Sequence, residues 1–310
     1  MTWKNFVLLF ALSLGFILIG CQDKSSITDP GTETDREAMK TLVEEDSSLT
    51  SFDYNYNEDG FPGILGKVQE TIYPIRVGVE VSLVNLNFNV DIQGDTAYGT
   101  VTKQFEGTLM IEASYDSVGG EPDTVIEKPF ASTFTRNVIF VKINHTEIPR
   151  KNWVIAAISL PEGGTASPNI DLQKATVFLP NEDSLVIESP NDYYLKRGWG
   201  WWRRIPIIAP GQEVTIRVEL YSGYEEDDYV SLVYGANRWC HQRAKKLFEL
   251  VSSTPNGNGY DKVYEQTFTA HQFPGFFHAV INAIPKQVLH DDAAPVESET
   301  WGIPYIIKFH

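Results

Sequence analysis

The chain has 310 residues, with 25 Lys and Arg against 41 Asp and Glu, a formal charge of −16 and a pI of about 4.8. This excess of negative charge repels phosphate backbones, so we exclude nucleic-acid binding. Aromatic residues make up 12% of the chain and charged residues only 21%, a composition rich in strand and turn formers that argues against intrinsic disorder and coiled coil.

The first 21 residues have the pattern of a signal peptide. Lys4 is the only basic residue before an apolar run over residues 6–20, which is shorter than the roughly 20 residues of a membrane span. The run ends in Leu-Ile-Gly-Cys at residues 18–21, which resembles the lipobox of bacterial lipoproteins. The resemblance implies removal of residues 1–20 and acyl chains on Cys21 that anchor the protein. Because Gln22 rather than Asp follows, the resemblance favours the outer membrane. The alternative is an ordinary signal peptide with a chance cysteine.

The mature chain is expected to contain no disulfide and no catalytic cysteine. Cys240 is the only other cysteine, so lipid on Cys21 leaves it without an intrachain partner. His241 follows Cys240, but neighbouring residues on a strand point to opposite faces, so we do not assign them as nucleophile and base. We assign no catalytic residue anywhere in the chain.

Residues 21–33 are polar and predict a lipidated tether, and residues 34–161 predict an α+β domain. Thr34 and Glu37 fit a capping box, and the apolar stripe after them predicts a helix ending near Asp46. Apolar and polar residues then alternate over residues 86–92, with a turn at 93–96 and further strands up to residue 161. The pattern predicts a helix followed by an antiparallel meander, as a curved sheet folded over helices.

This order of elements resembles the nuclear transport factor 2-like superfamily, with its SnoaL-like and ketosteroid-isomerase-like members. The resemblance rests on Asp-Arg-Glu-Ala at residues 35–38, the Gly-Asp-Thr-Ala turn at 94–97 and the Lys-Asn-Trp-Val-Ile strand at 151–155. It implies a cone over residues 34–161 that encloses a pocket for binding or proton transfer. Isomerases of this kind use a carboxylate base and a Tyr or protonated acid as oxyanion partner. Residues of these chemical types give the candidate pocket: Tyr54, Tyr56, Tyr73 and Asp91.

Residues 162–169 predict a linker, and residues 170–310 predict an all-β domain. Seven or so short alternating segments, each bounded by turn residues, are typical of a β-sandwich. Pro-Gly-Phe at residues 274–276 resembles the turn-into-strand segment of bacterial immunoglobulin-like domains, which implies an immunoglobulin-like sandwich. Residues 238–250 fit either a strand with a loop, which we favour, or a helix.

Three clusters in the second half contain functional residue types. The acidic loop at 225–228 lacks the ligand spacing of a calcium loop, and His271, His278 and the segment 290–292 show no converging spacing, so we expect no metal and no cofactor. Residues 198–204 combine three Trp with two Arg, the types that dominate interface hot spots. The alternative is that these indoles fill the core. The candidate binding residues are Trp199, Trp201, Trp202, Arg203 and Arg204.

Taken together, these patterns predict a lipid-anchored protein of the bacterial cell envelope, in the outer membrane and on either face of it, that acts as a non-enzymatic binding or assembly module. Its expected partners are the membrane, through Cys21, and an envelope protein or glycan. Two alternatives stay open: a small-ligand-binding protein or enzyme with a pocket in the N-terminal domain, and an adhesin or scaffold of two sandwiches. A polar pocket with shifted pKa values favours the enzyme, and a large exposed aromatic patch favours the binding module.

Overall fold

The structure, a computed structural model, describes residues 34–46, 72–116, 121–179, 184–197, 202–236 and 244–308. This part of the chain contains helices α1 (Asp35–Glu45) and α2 (Lys286–His290) and two short 3-10 helices, Pro149–Lys151 and Pro190–Asp192. In chain order the strands are β1 (Tyr73–Gln93), β2 (Thr96–Ser114), β3 (Thr124–Lys142), β4 (Trp153–Ser159), β5 (Glu162–Gly164), β6 (Ile170–Phe178), β7 (Ser184–Ile187), β8 (Tyr194–Arg197), β9 (Trp202–Arg203), β10 (Ile207–Ile208), β11 (Glu213–Ser222), β12 (Tyr229–Ala236), β13 (Ala244–Leu247), β14 (Glu249–Asn256), β15 (Gly259–Thr269), β16 (Gly275–Ile284) and β17 (Glu299–Ile307).

The capping box predicted at the start of α1 is confirmed. The Glu37 amide donates to the Thr34 hydroxyl at 3.2 Å, and the Thr34 amide donates to the Glu37 carboxylate at 2.8 Å. The Arg36 guanidinium donates to the Val90 carbonyl at 3.1 Å, which ties the helix to β1. The buried face of α1 consists of Ala38, Met39 and Val43.

Strands β1, β2 and β3 are 19 to 21 residues long, several times the usual strand length. A β-bulge at Val84 keeps the apolar residues of β1 on one side of the sheet. Leu83 lies opposite Phe105 and Asn85 opposite Gln104, so Val84 is the extra residue. Apolar residues occupy odd positions up to 83 and even positions from 86, and the bulge absorbs this change of phase. We call the apolar side of β1–β3 the inner face and the other side the outer face.

Within the described residues, the first sheet has 12 strands and includes both halves of the chain. Its order is β13-β12-β16-β17-β5-β3-β4-β8-β9, with β2 and β1 added to β3, and β10 added to β17. Strand β5 pairs with β3 on one side and β17 on the other. A Cβ on Gly163 would lie 2.2 Å from the Thr133 carbonyl oxygen, and one on Gly164 would lie 2.1 Å from the Ser298 carbonyl oxygen. Glycine is therefore needed here because the backbones approach closely.

The second sheet has the order β14-β15-β11-β6-β7 and packs on part of the first. Thr135 lies opposite Glu162, and Glu162 opposite Trp301, so these three side chains share the outer face. Trp301 is buried in a core cluster that includes Tyr264 and other residues of the second sheet. The outer face is thus covered by the second sheet around β17 and is largely exposed to solvent on β1–β3.

The predicted fold class is wrong. The chain is mostly β with large antiparallel sheets, and it is not an α+β cone followed by a sandwich. Among the described residues, α1 packs against β4 and the Pro149–Lys151 3-10 helix and bonds to β1 through Arg36, and no layer of helices fills a cone. Residues 162–164 of the predicted linker form β5 inside that sheet. Of residues 238–250, Ala244–Leu247 is a strand, as favoured over a helix, and residues 238–243 lie outside the described residues.

Candidate functional site

A cleft of about 720 Å³ opens where the second sheet stops covering the outer face. Its floor comes from β3 and β5, and its walls come from β6, β11, β17 and the loop at residues 165–168. A concave site with a few converging polar groups is the form that ligand sites usually take. The polar side chains that line it belong to Thr133, Thr135, Glu162, Thr165, Ser167, Asp171, Tyr221 and Glu299.

The two glutamates of the cleft have raised pKa values. Burial raises the pKa of Glu299 to about 7, although the Leu172 amide and the Trp301 indole donate to its carboxylate and oppose that change. Burial also raises the pKa of Glu162. Glu162 and Glu299 occupy diagonal positions on β5 and β17, so the two residues lie about 7–8 Å apart. Near pH 7 the cleft therefore holds a partly protonated carboxyl group beside a desolvated one.

A hydrogen-bond network holds Glu162 and connects it to the outer face of β2 and β3. The side-chain amide of Asn191 donates to the Glu162 carboxylate, and the Ser159 hydroxyl donates to the Asn191 side-chain oxygen at 3.3 Å. The side-chain amide of Asn137 donates to the backbone carbonyl of Asn191 at 3.1 Å, and the Thr100 hydroxyl donates to the Asn137 side-chain oxygen at 3.0 Å. The carboxylate is thus positioned by groups that continue onto the exposed sheet.

The wall formed by residues 165–169 is held by the buried carboxylate of Glu297. This carboxylate accepts hydrogen bonds from Ser167 at 2.8 Å, from Asn169 at 2.7 Å and from Tyr224 at 2.9 Å. Burial and the Glu297 carboxylate raise the pKa of Tyr224 to about 12. The phenol therefore stays protonated and donates a hydrogen bond to Glu297. A fully bonded buried carboxylate makes the wall rigid before any ligand enters.

The two described residues of the predicted pocket, Tyr73 and Asp91, lie far apart. Tyr73 is the first residue of β1 and Asp91 is near its end, so about 60 Å of strand separates them. The Asp91 side chain is exposed and accepts a hydrogen bond from Gln93 at 2.7 Å. Tyr54 and Tyr56 lie outside the described residues. Tyr73 and Asp91 therefore cannot line one pocket.

Of the predicted Trp and Arg cluster, the structure describes only one end. The backbone of Trp202–Arg203 forms β9 and pairs with β8. Arg204 is exposed with a φ of 69°, and its guanidinium lies 5.1 Å from the centre of the Tyr193 ring. Trp199 and Trp201, like the lipobox cysteine Cys21, lie outside the described residues.

The acidic loop at 225–228 contributes to the core. The side chains of Asp228 and Lys262 are fully buried and pair at 2.9 Å, and the Ser222 hydroxyl donates to Asp228 at 2.9 Å. Burial raises the pKa of Asp228, and Lys262 opposes that change. His290 bonds to the Tyr229 hydroxyl, and burial lowers the pKa of this imidazole to about 4. Among the described residues, no three His, Cys, Asp or Glu side chains are placed to hold a metal ion.

Sequence reasoning missed the cleft because its parts come from distant segments. In the sequence, Glu162 stands beside two glycines and resembles a linker residue. Glu299 lies 137 positions further along the chain, in the strand that pairs with β5. The only local signal was Gly-Gly, which marks either a flexible connection or a close backbone approach.

A scan against protein-family models and a search of curated proteins find no match to this chain. None of the helices described has the length and apolar character to cross a membrane.

Proposed function

We propose that this protein is a non-enzymatic binding protein of the bacterial cell envelope that holds its ligand in the cleft between β3, β5 and the second sheet. The observation that carries the proposal is the pair of desolvated carboxylates, Glu162 and Glu299, beside the hydroxyl groups of Thr133 and Thr135. Such groups accept and donate hydrogen bonds to a polar ligand. Their positions are fixed by the network around Asn191 and by the rigid wall around Glu297.

The lipobox at residues 18–21 supports an envelope location with Cys21 as the lipidated N-terminus. Mass spectrometry of the membrane-extracted protein is expected to find diacylglycerol and an acylated amine on Cys21. A Cys21→Ser variant is expected in the soluble envelope fraction, because it has lost the only acylation site of the motif. An unmodified N-terminus at another residue would contradict the anchor and leave the cleft proposal standing.

Ligand binding in the cleft is tested by thermal unfolding of a soluble form beginning at residue 22, with a panel of oligosaccharides, short peptides and polyamines. A ligand at 100 times its Kd adds about 2.7 kcal/mol, which raises the Tm by several degrees. We expect one class to do so in the wild-type protein. Thr135→Val removes a cleft hydroxyl at nearly constant volume and is expected to abolish the shift.

The matched control is Thr254→Val, because Thr254 is exposed on β14 in the second sheet and lies outside the cleft lining. This variant is expected to keep the wild-type response. If no class of compound raises the Tm, or if both variants respond alike, the cleft is not the binding site.

An acid–base enzyme acting in the same cleft is the second candidate, favoured by the Glu299 pKa near 7. Both Glu299 oxygens already accept hydrogen bonds from the protein, which is why binding is the first proposal. Mass spectrometry of the incubated ligand separates the two: unchanged ligand supports binding, and turnover that Glu299→Gln abolishes supports catalysis.

A further inference from the structure

The outer face of β1–β3 carries a regular array of uncharged hydrogen-bonding groups next to the cleft. The central row follows from the strand register, since Asn87 lies opposite Thr102, Thr102 opposite Thr135, and Thr135 opposite Glu162. With strands about 4.8 Å apart, this row runs about 14 Å from the cleft to the edge of the sheet. We define the polar grid as the outward-facing residues of segments 85–89, 100–104 and 133–137, which are all Asn, Gln or Thr.

The side chains of the polar grid are open to solvent. Asn85, Asn87, Asn89, Gln104 and Thr133 are exposed, and the other members are half-buried. Within the described part of the chain, Asn87 and Asn89 make no side-chain hydrogen bond, so their amides remain open to an external partner. Tyr98, 49% exposed, is the next outward-facing residue on β2 and adds an aromatic surface at the margin.

Strand stability accounts for only part of this array. Opposed threonines such as Thr102 and Thr135 stabilise a sheet through cross-strand contacts. Asparagine is disfavoured in strands, yet Asn85, Asn87 and Asn89 occupy three successive outward positions on β1. Solubility does not account for them either, because the chain has a formal charge of −16 and places none of that charge in the grid.

We infer that the ligand of the cleft is an uncharged, hydroxyl-rich polymer, a neutral polysaccharide, whose chain extends from Glu162 across the polar grid. This inference rests on the proposed cleft function and names its ligand class. Neutral hydroxyls match a surface of amides and hydroxyls, and a row of about 14 Å accommodates about three sugar rings. The carboxylates of Glu162 and Glu299 and the negative charge of the protein disfavour anionic polymers.

The experiment is titration calorimetry of the form beginning at residue 22 with soluble β-glucan, xylan and galactomannan, their di- and hexasaccharides, and polygalacturonate as the anionic polymer. At least one neutral series is expected to bind, with the hexasaccharide at least tenfold tighter than the disaccharide. Its Kd is expected to change less than twofold between 0.1 and 0.5 M salt, because the grid carries no charge.

A double variant, Asn87→Ala with Thr102→Val, removes two grid groups outside the cleft lining. We expect it to lose the tenfold preference for the hexasaccharide while the disaccharide Kd stays within twofold of wild type. The control, Thr254→Val with Asn256→Ala, makes the same changes on β14 and is expected to behave as wild type. Unfolding curves in the absence of ligand check that both variants are folded.

The outcomes separate this inference from the cleft proposal. Tight binding of polygalacturonate, binding of peptides instead of saccharides, or a length preference that survives in the grid variant overturns the inference and leaves the cleft as a binding site. If no saccharide, peptide or polyamine binds, both the inference and the cleft proposal fail.

Discussion

Glu299 makes the stability of the protein depend on pH, because its carboxyl group is both hydrogen-bonded and partly buried in the cleft. It accepts a hydrogen bond from the Leu172 amide, which joins the second sheet to the first, and one from the Trp301 indole on its own strand. Its position in the cleft also keeps it from full hydration, and burial raises its pKa to about 7. A carboxyl group with a raised pKa in the folded state binds its proton more tightly folded than unfolded. Ionising Glu299 therefore favours unfolding.

We predict that Glu299→Gln removes a pH dependence of stability between pH 4.5 and pH 7. The wild-type protein has the full benefit of the protonated carboxyl below the unfolded pKa near 4.5 and loses it as the pH rises through about 7. The loss is on the order of 1 to 3 kcal/mol. Relative to wild type, the variant is expected to gain Tm steadily from pH 5 to pH 8.

Measuring this difference cancels the opposite contribution of His278 and His290, whose pKa values burial lowers to about 3 and about 4. Those groups make the protein less stable as the pH falls below the unfolded histidine pKa near 6.5. Glu249→Gln on exposed β14 is the matched control. A Tm difference for Glu299→Gln that is flat over this range would show that the carboxyl is not perturbed.

At the scale of elements, the bulge in β1 explains why its alternation changes phase. Residues 77–83 place apolar side chains at odd positions and residues 86–92 at even positions, and the strand continues through both. Val84, 52% exposed, occupies the extra position. The bulge adds local twist to a strand of 21 residues, which would otherwise present a flat edge.

We predict that deleting Val84 is tolerated, whereas deleting Asn87 is not. Without Val84, Leu83 and Asn85 keep their partners Phe105 and Gln104 in a regular ladder, so stability is expected to change by less than about 1 kcal/mol. Without Asn87, the strand keeps its later register only by turning Asn85 inward and Leu86 outward.

Burying an amide and exposing an apolar side chain is expected to cost about 2 kcal/mol or more. Urea unfolding of both deletions measures the two effects under the same conditions. Equal losses of stability would show that the bulge, rather than the phase of the apolar residues, holds β1 in place.

Local sequence patterns predicted individual helices, strands and turns, but they did not predict which strands pair with each other. The cap at Thr34, the turn at residues 93–96 and the alternation of β11 are each set by neighbours within a few residues, and each is present. Which strands lie side by side depends on contacts far apart in sequence, such as Glu162 with Trp301. The Gly-Gly at 163–164 carried the decisive information, but flexibility and close packing require the same residue. The cleft could not be predicted because it exists only once β5 joins β3 to β17.

For the whole molecule, the shared sheet and shared core argue that the two halves depend on each other. Strand β5 joins them, and a single core cluster contains Met39 and Phe140 from the first half with Trp301 and Tyr264 from the second. If the halves were separate, one of them would lack β5. Either Thr133–Thr135 of β3 or the paired segment of β17 would then expose unpaired backbone groups.

We predict that residues 34–161 and 170–310, expressed separately, do not unfold cooperatively, and that the full chain shows a single transition by both tryptophan fluorescence and far-UV circular dichroism. A pair of fragments that both retain β5, residues 34–165 and 162–310, is expected to recover structure when mixed, because each then carries one side of the ladder. This experiment decides the domain division drawn from the sequence. Two transitions in the full chain, or a sharp transition in either half alone, would mean that β5 joins two stable domains rather than completing one.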